Sequence, residues 1–123
     1  MRGPGVQKGV TKNEPTTNLD LTATFLDYAA VRKPEGMDSR SLRPLLTGKK
    51  TAIRDHVFSG MEQWRLVMQG QYKYIRGWEN QPLLFDLSND PLENENLATQ
   101  KPDVVARMAK LEAAQKQRQT GRQ

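Results

Sequence analysis

Four carboxylates crowd one stretch of this 123-residue chain: Asp86, Asp90, Glu93 and Glu95. Acids so close together could ligate a hard cation such as Ca²⁺. An EF-hand loop, however, needs its own ligand spacing and a central glycine, and this stretch has neither. The other chemistry open to these groups is structural, because Asp and Asn side chains accept hydrogen bonds from nearby backbone amides at turns. Asp86 and Asp90 bracket the exit of a strand, and Pro91 prevents that strand from continuing. Glu93 and Asn96 are placed to bond amides of the next turn, and Leu97 to anchor the loop to a core. Asp86, Asp90, Pro91, Glu93 and Asn96 therefore read as a rigid corner, with no catalytic and no metal-binding residue among them. His56 is the single histidine. It could serve as a general acid only beside an orienting partner, and the sequence offers none.

Composition narrows the chemistry further. There is no cysteine, which excludes a disulfide framework, a thiolate zinc site and a cysteine nucleophile. One histidine excludes a multi-histidine metal site. The apolar fraction is 36% and the mean hydropathy is −0.78. That is polar for a free-standing domain. Part of such a chain is either unfolded or leans on something larger. No stretch has the length and apolarity of a membrane span or a signal peptide, and no compartment follows from the composition. The net charge of +5, with pI near 9.7, raises binding to a polyanion. Tyr72 and Tyr74 stand beside Lys73 and Arg76, as in nucleic-acid binders. No helix-turn-helix, zinc or RNP pattern accompanies them, which disfavours nucleic acid as a partner.

The elements that must position these residues can be read in order. Residues 1–18 are rich in Gly, Pro, Lys, Thr and Asn and form an expected mobile loop. Leu21, Phe25, Leu26, Tyr28 and Ala29 recur at helical spacing, which predicts a helix from Leu19 to Val31, capped by Asn18 or Asp20 and stopped by Pro34 and Gly36. Ser41 is set to cap a short turn holding Pro44 near its start, and Gly48 ends it. Four strand-like runs follow: His56–Ser59, Trp64–Met68, Tyr72–Arg76 and Leu83–Leu87. Alternation places Trp64, Leu66 and Met68 on one face, so Trp64 is expected in the core. Gln69-Gly70-Gln71 is the turn of a hairpin. Pro102 opens a last helix to about Lys116, with Val104, Val105, Met108 and Leu111 as its apolar stripe over the sheet. The tail 117–123 should fray. The expected fold is α+β: a four-stranded antiparallel sheet covered by a C-terminal helix, preceded by one helix and irregular segments.

Five strings, in order, resemble the C-terminal third of the sulfatase family. They are Arg2-Gly3-Pro4-Gly5; the Asp20–Ala29 run, similar to D-L-x-x-T-x-L-x-x-A; and Met37-Asp38-Ser39-Arg40-Ser41-Leu42-Arg43-Pro44-Leu45-Leu46 with Gly48, similar to G-x-S-L-x-P-L-L-x-G. Trp64-Arg65 before Tyr72-Lys73-Tyr74-Ile75 resembles W-R followed by Y-K-Y-I. The run from Leu84-Phe85-Asp86-Leu87 through Asp90-Pro91-Leu92-Glu93 to Asn96-Leu97-Ala98 resembles L-(Y/F)-D-L-x-x-D-P-x-E-x-x-N-L-A.

The resemblance implies an α/β parent that hydrolyses sulfate esters with a formylglycine, made from Cys or Ser in a C/S-x-P-x-R motif, and with Ca²⁺. That motif is absent from this sequence, as is an Asp-Asp pair like the family's metal ligands. The chain then reads as a fragment, inactive alone. Residues 1–18 are left from the N-terminal domain, 19–54 form a helix and connection, 55–116 the C-terminal subdomain, and 117–123 the tail. Its partner is the N-terminal sulfatase domain, in cis in the parent. The alternative is a stand-alone module that docks a separate catalytic domain. By the same resemblance, the loop holding Trp78 and Asn80 faces the substrate mouth of the parent, where Trp78 could stack on a ring and Asn80 could hydrogen-bond it. Family members are often exported or periplasmic.

Overall fold

The computed structural model describes residues 1–61, 63–77 and 81–120, the last five of these by backbone only. The chain divides into two compact units, Met1–Asp55 and His56–Gln123.

The first unit holds helix α1, Leu19–Tyr28, and the short helix α2, Arg43–Leu46. α1 ends three residues before the expected Val31. Ala29 closes it, and Ala30 then turns left-handed at φ 55°, so the chain leaves the helix before Pro34 can stop it. Asn18 makes no side-chain cap. Asp20, inside the helix, supplies the acceptor instead: its Oδ2 receives the Thr17 N–H at 2.8 Å. Pro44 sits in the first turn of α2, where its lack of an N–H costs nothing. Ser41 Oγ accepts from the Arg43 N–H at 3.1 Å just upstream. The N-terminal loop is tied to α2 by Gln7 N–H donating to Leu46 O at 3.0 Å.

The second unit is an antiparallel meander in the order β1-β2-β3-β4. The strands are β1 (His56–Met61), β2 (Trp64–Gln69), β3 (Tyr72–Arg76) and β4 (Leu83–Asp86). Helix α3, Pro102–Thr120, extends four residues past the expected end. Gly70, with φ 57°, makes the β2–β3 turn possible.

The register aligns Phe58, Val67, Tyr74 and Leu84 across all four strands. Residues so aligned share one face, and this is the face that packs on α3. Val67, Tyr74, Leu84 and Met108 form the buried core, with Val104, Val105, Ala109 and Leu111 of the helix and Leu97 packed against them. The expected face of β2 is therefore reversed. Val67 is fully buried, whereas Trp64 is 41% exposed on the opposite face with Leu66 and Met68. The alternation was real, but α3 covers the other set of side chains.

Candidate functional site

Trp78 and Asn80 lie outside the described residues. The chain on either side of them is described. Gly77 follows β3, and a Cβ there would stand 2.9 Å from both Gln63 O and Trp64 Cα. Residue 77 and the β1–β2 turn are thus in backbone contact at one end of the sheet. Met61 and Trp64 face each other across that turn as the last cross-strand pair, 76% and 41% exposed. On the α3 face of the same end, Arg76 Nη2 donates to Glu112 Oε1 at 3.0 Å, with the Glu112 carboxylate buried. Burial pushes the neighbouring Tyr74 hydroxyl above the ordinary tyrosine value. Arg76 pulls it down and Glu112 up.

The acidic stretch lies at the opposite end of β4. Asp86 Oδ2 accepts from Gln71 Nε2 at 3.1 Å and Asn89 Nδ2 at 3.0 Å, and its Oδ1 from the Ser88 N–H at 3.1 Å. Asp90 accepts from Asn94 Nδ2 and from the Glu95 N–H. These donors favour the charged form. The Gln71 amide heads the causes that hold Asp86 below the usual carboxylate range, and the Glu95 amide those for Asp90. Asn96 Oδ1 accepts from both Leu84 N–H, at 2.9 Å, and Ala98 N–H, at 3.0 Å. Leu97 N–H then donates to Leu84 O at 2.8 Å.

Glu93 departs from its expected role. With φ at 59° it turns its side chain to Lys73 on β3, whose Nζ donates at 2.6 Å and 2.8 Å to its two oxygens. The acids are spent on amides and a lysine. Among the described residues, no group of three or more His, Cys, Asp or Glu side chains could hold a metal ion. These residues do not fit a Ca²⁺ site. His56, at the start of β1, packs edge-to-face on Phe58 with ring centroids 4.8 Å apart. Among the described residues no helix is long and apolar enough to cross a membrane.

Sequence reasoning missed the densest polar centre in the first unit. Asp20 Oδ1 accepts from the Arg40 N–H at 2.8 Å and from the Arg54 guanidinium. Thr24 Oγ1 donates to Asp20 O and accepts from the Leu42 N–H at 2.8 Å. Partners 20 and 34 positions away leave no local signal. This centre joins α1 to the loop before α2 and to Arg54 beyond it.

The comparisons with known proteins agree with this architecture. The family profile described as N-sulphoglucosamine sulphohydrolase, C-terminal, matches residues 1–120. The chain is 32% identical over 121 residues to arylsulfatase K of Mus musculus, a match that covers 85% of this chain and 22% of that protein. It is 28% identical over 145 residues to an ulvan-active sulfatase of Formosa agariphila, covering 86% and 29%. Among solved structures, a 2-O GAG sulfatase superposes with a TM-score of 0.73 at 31% identity, over 89% of this chain and 27% of that one. The chain thus spans less than a third of the length of these relatives. With the four-stranded meander, its covering helix and the profile agreeing over nearly every residue, this chain belongs to the C-terminal family of the N-sulphoglucosamine sulphohydrolase type, a C-terminal region of sulfatases.

Proposed function

We propose that this chain serves as the C-terminal subdomain of a sulfuric ester hydrolase whose catalytic groups lie on other residues. The observation that carries this reading is the match itself: a C-terminal sulfatase profile over residues 1–120, set against coverage of only 22–29% of the relatives' length. Formylglycine and Ca²⁺ chemistry needs a modified Cys or Ser and a cluster of oxygen ligands. This sequence has no cysteine, and Asp86, Asp90 and Glu93 are engaged by amides and Lys73. In this reading those groups belong to the part of the enzyme beyond the matched region, and the present residues complete its pocket.

Helix α1 supports a large apolar partner. One of its faces is buried through Asp20, Ala23 and Thr24, while Leu21 and Phe25, one turn apart on the other side, are 40% and 65% exposed. Two large apolar side chains one turn apart on an exposed helix face are normally covered by a partner. The catalytic part of a sulfatase, in cis or in trans, is the partner this face suits. The named relatives act on GAG and on ulvan, which supports a sulfated saccharide as the substrate class.

The test is an assay of the purified chain on an aryl sulfate with Ca²⁺. No turnover is expected from the chain alone. Turnover above a buffer blank that survives repurification would refute the reading. Joining the chain to a sulfatase catalytic part is expected to give activity only in the combined protein.

A further inference from the structure

We propose that the cavity beside α1 is a socket for one large side chain of the catalytic part, apolar along its body and polar at its tip, as tyrosine is. This deepens the reading above and rests on it, because that reading supplies the partner. The cavity lies within the first unit and has a volume of about 370 Å³, inside the range of roughly 300–1,000 Å³ for pockets that hold ligands. Ala23, Leu26 and Val31 give it apolar walls. Val31 is 53% exposed, so the apolar lining reaches the surface. Leu26 follows Phe25 along α1, and the cavity therefore borders the outward side on which Leu21 and Phe25 stand uncovered.

The polar lining narrows the occupant. Lys33 Nζ donates to Met37 O at 2.7 Å and to Ser39 O at 2.9 Å, which folds residues 33–39 into one wall. Arg40 Nη1 donates to Ile53 O. Asp27 accepts from Ser41 Oγ and, at 3.0 Å, from Arg43 Nη1. Each of these charges is engaged by a group of the same unit, which leaves the cavity poorly matched to an anion. Ser39 is the exception. It lines the cavity, it is 2% exposed, and its Oγ is buried with no hydrogen-bond partner among the described residues. Burying a hydroxyl unpaired is costly, and native chains seldom keep one without a reason. A tyrosine entering against Leu26 and Val31 lays its ring on the apolar walls and brings a hydroxyl to Ser39, which a rotation about χ1 turns to meet it. The matched relatives are covered over only 22–29% of their length, so most of such an enzyme remains to supply that side chain.

The experiment titrates the full chain with N-acetyltyrosinamide, N-acetylphenylalaninamide and a 2-O-sulfated disaccharide, and reads binding from methyl NMR shifts. Saturable shifts at Ala23, Leu26 and Val31 are expected with the tyrosine amide. The phenylalanine amide, which lacks the hydroxyl, is expected to bind about fivefold more weakly. In S39A the two amides should bind within about twofold of each other. S39A is also expected to unfold in urea at the wild-type midpoint or above it, because it removes an unpaired group. In the protein joined to a sulfatase catalytic part, the same methyls should no longer respond, since the socket is filled. No saturable shifts, equal binding of the two amides by the wild-type chain, or a tyrosine preference that survives in S39A would each overturn the proposal. So would a lower midpoint in S39A, tighter binding of the disaccharide at these methyls, or a cavity still open in the joined protein. Aryl-sulfate turnover by the chain alone would sink the functional reading while leaving the amide preference as measured.

Discussion

The Asp20 carboxylate and the Arg54 guanidinium, 34 positions apart, meet as an ion pair in which the acid is fully buried and the arginine side chain is 10% exposed. Each has further bonds: Asp20 holds two backbone amides, and Arg54 reaches Thr17 Oγ1. Removing one partner of a buried pair leaves the other charge uncompensated, at a cost of about 3–5 kcal/mol. D20N is expected to lower stability by that order in urea unfolding, whereas a paired apolar replacement of both residues should cost less. An equal loss in the single and double variants would show that the pair itself matters little.

The acid limb of stability should report the carboxylates that accept amides. Burial works against the charged form of Asp20, but the Arg40 and Thr17 amides and Arg54 outweigh it, leaving its affinity for protons below the ordinary value. Asp86 and Asp90 are lowered as well. A carboxylate with a depressed folded pKa contributes stability that is fully present above its unfolded value, near 3.8, and lost as pH falls through the lowered folded value. Thermal melts are expected to hold steady above about pH 5 and to fall steeply below 4. In D86N the same descent should be shallower, because one titrating group is gone. An unchanged slope in D86N would remove Asp86 from the account.

Substitutions on β2 and β4 test which face of the sheet is the core. Leu84 is fully buried, and L84A should cost about 2–5 kcal/mol. Leu66 lies on the opposite face and is only partly buried, so L66A should cost about 1 kcal/mol. The reverse order, read by denaturant midpoint, would mean that α3 covers the other face. This comparison also shows what the residues could disclose. Strand existence was legible, because the Gln69-Gly70-Gln71 turn and the alternation around it are local. The inward face was not, because β2 presents Trp64, Leu66 and Met68 on one side and Val67 between Arg65 and Gln69 on the other. Counting apolar residues selects the wrong side. Only the docking of Met108 and its neighbours on Val67, Tyr74 and Leu84 decides it. The corner at Asp86 and Asp90 was legible in part for the same local reason as the hairpin, since Ser88, Asn89, Asn94 and Glu95 lie within a few positions, but the Gln71 donor to Asp86, 15 positions away, was not. The Lys73–Glu93 pair, spanning 20 residues, was not.

Glycines at the sheet end and at the hairpin tip should respond to alanine for different reasons. At Gly77 the added methyl would press on Gln63 O and Trp64 Cα at 2.9 Å, and both are backbone atoms that cannot swing aside. G77A is expected to lose about 1–3 kcal/mol, as overpacked sites do. At Gly70 no atom lies within 4 Å of the added Cβ, but the φ of 57° is left-handed. G70A should therefore cost about 1–2 kcal/mol through backbone strain alone. Amide exchange separates the two causes. G77A should speed exchange at Trp64 and its neighbours, because the strand ends must part. G70A should leave that end protected and loosen only the β2–β3 turn. Faster exchange at the Trp64 end in G70A, or none in G77A, would break the link between Gly77 and the fixed position of Trp64.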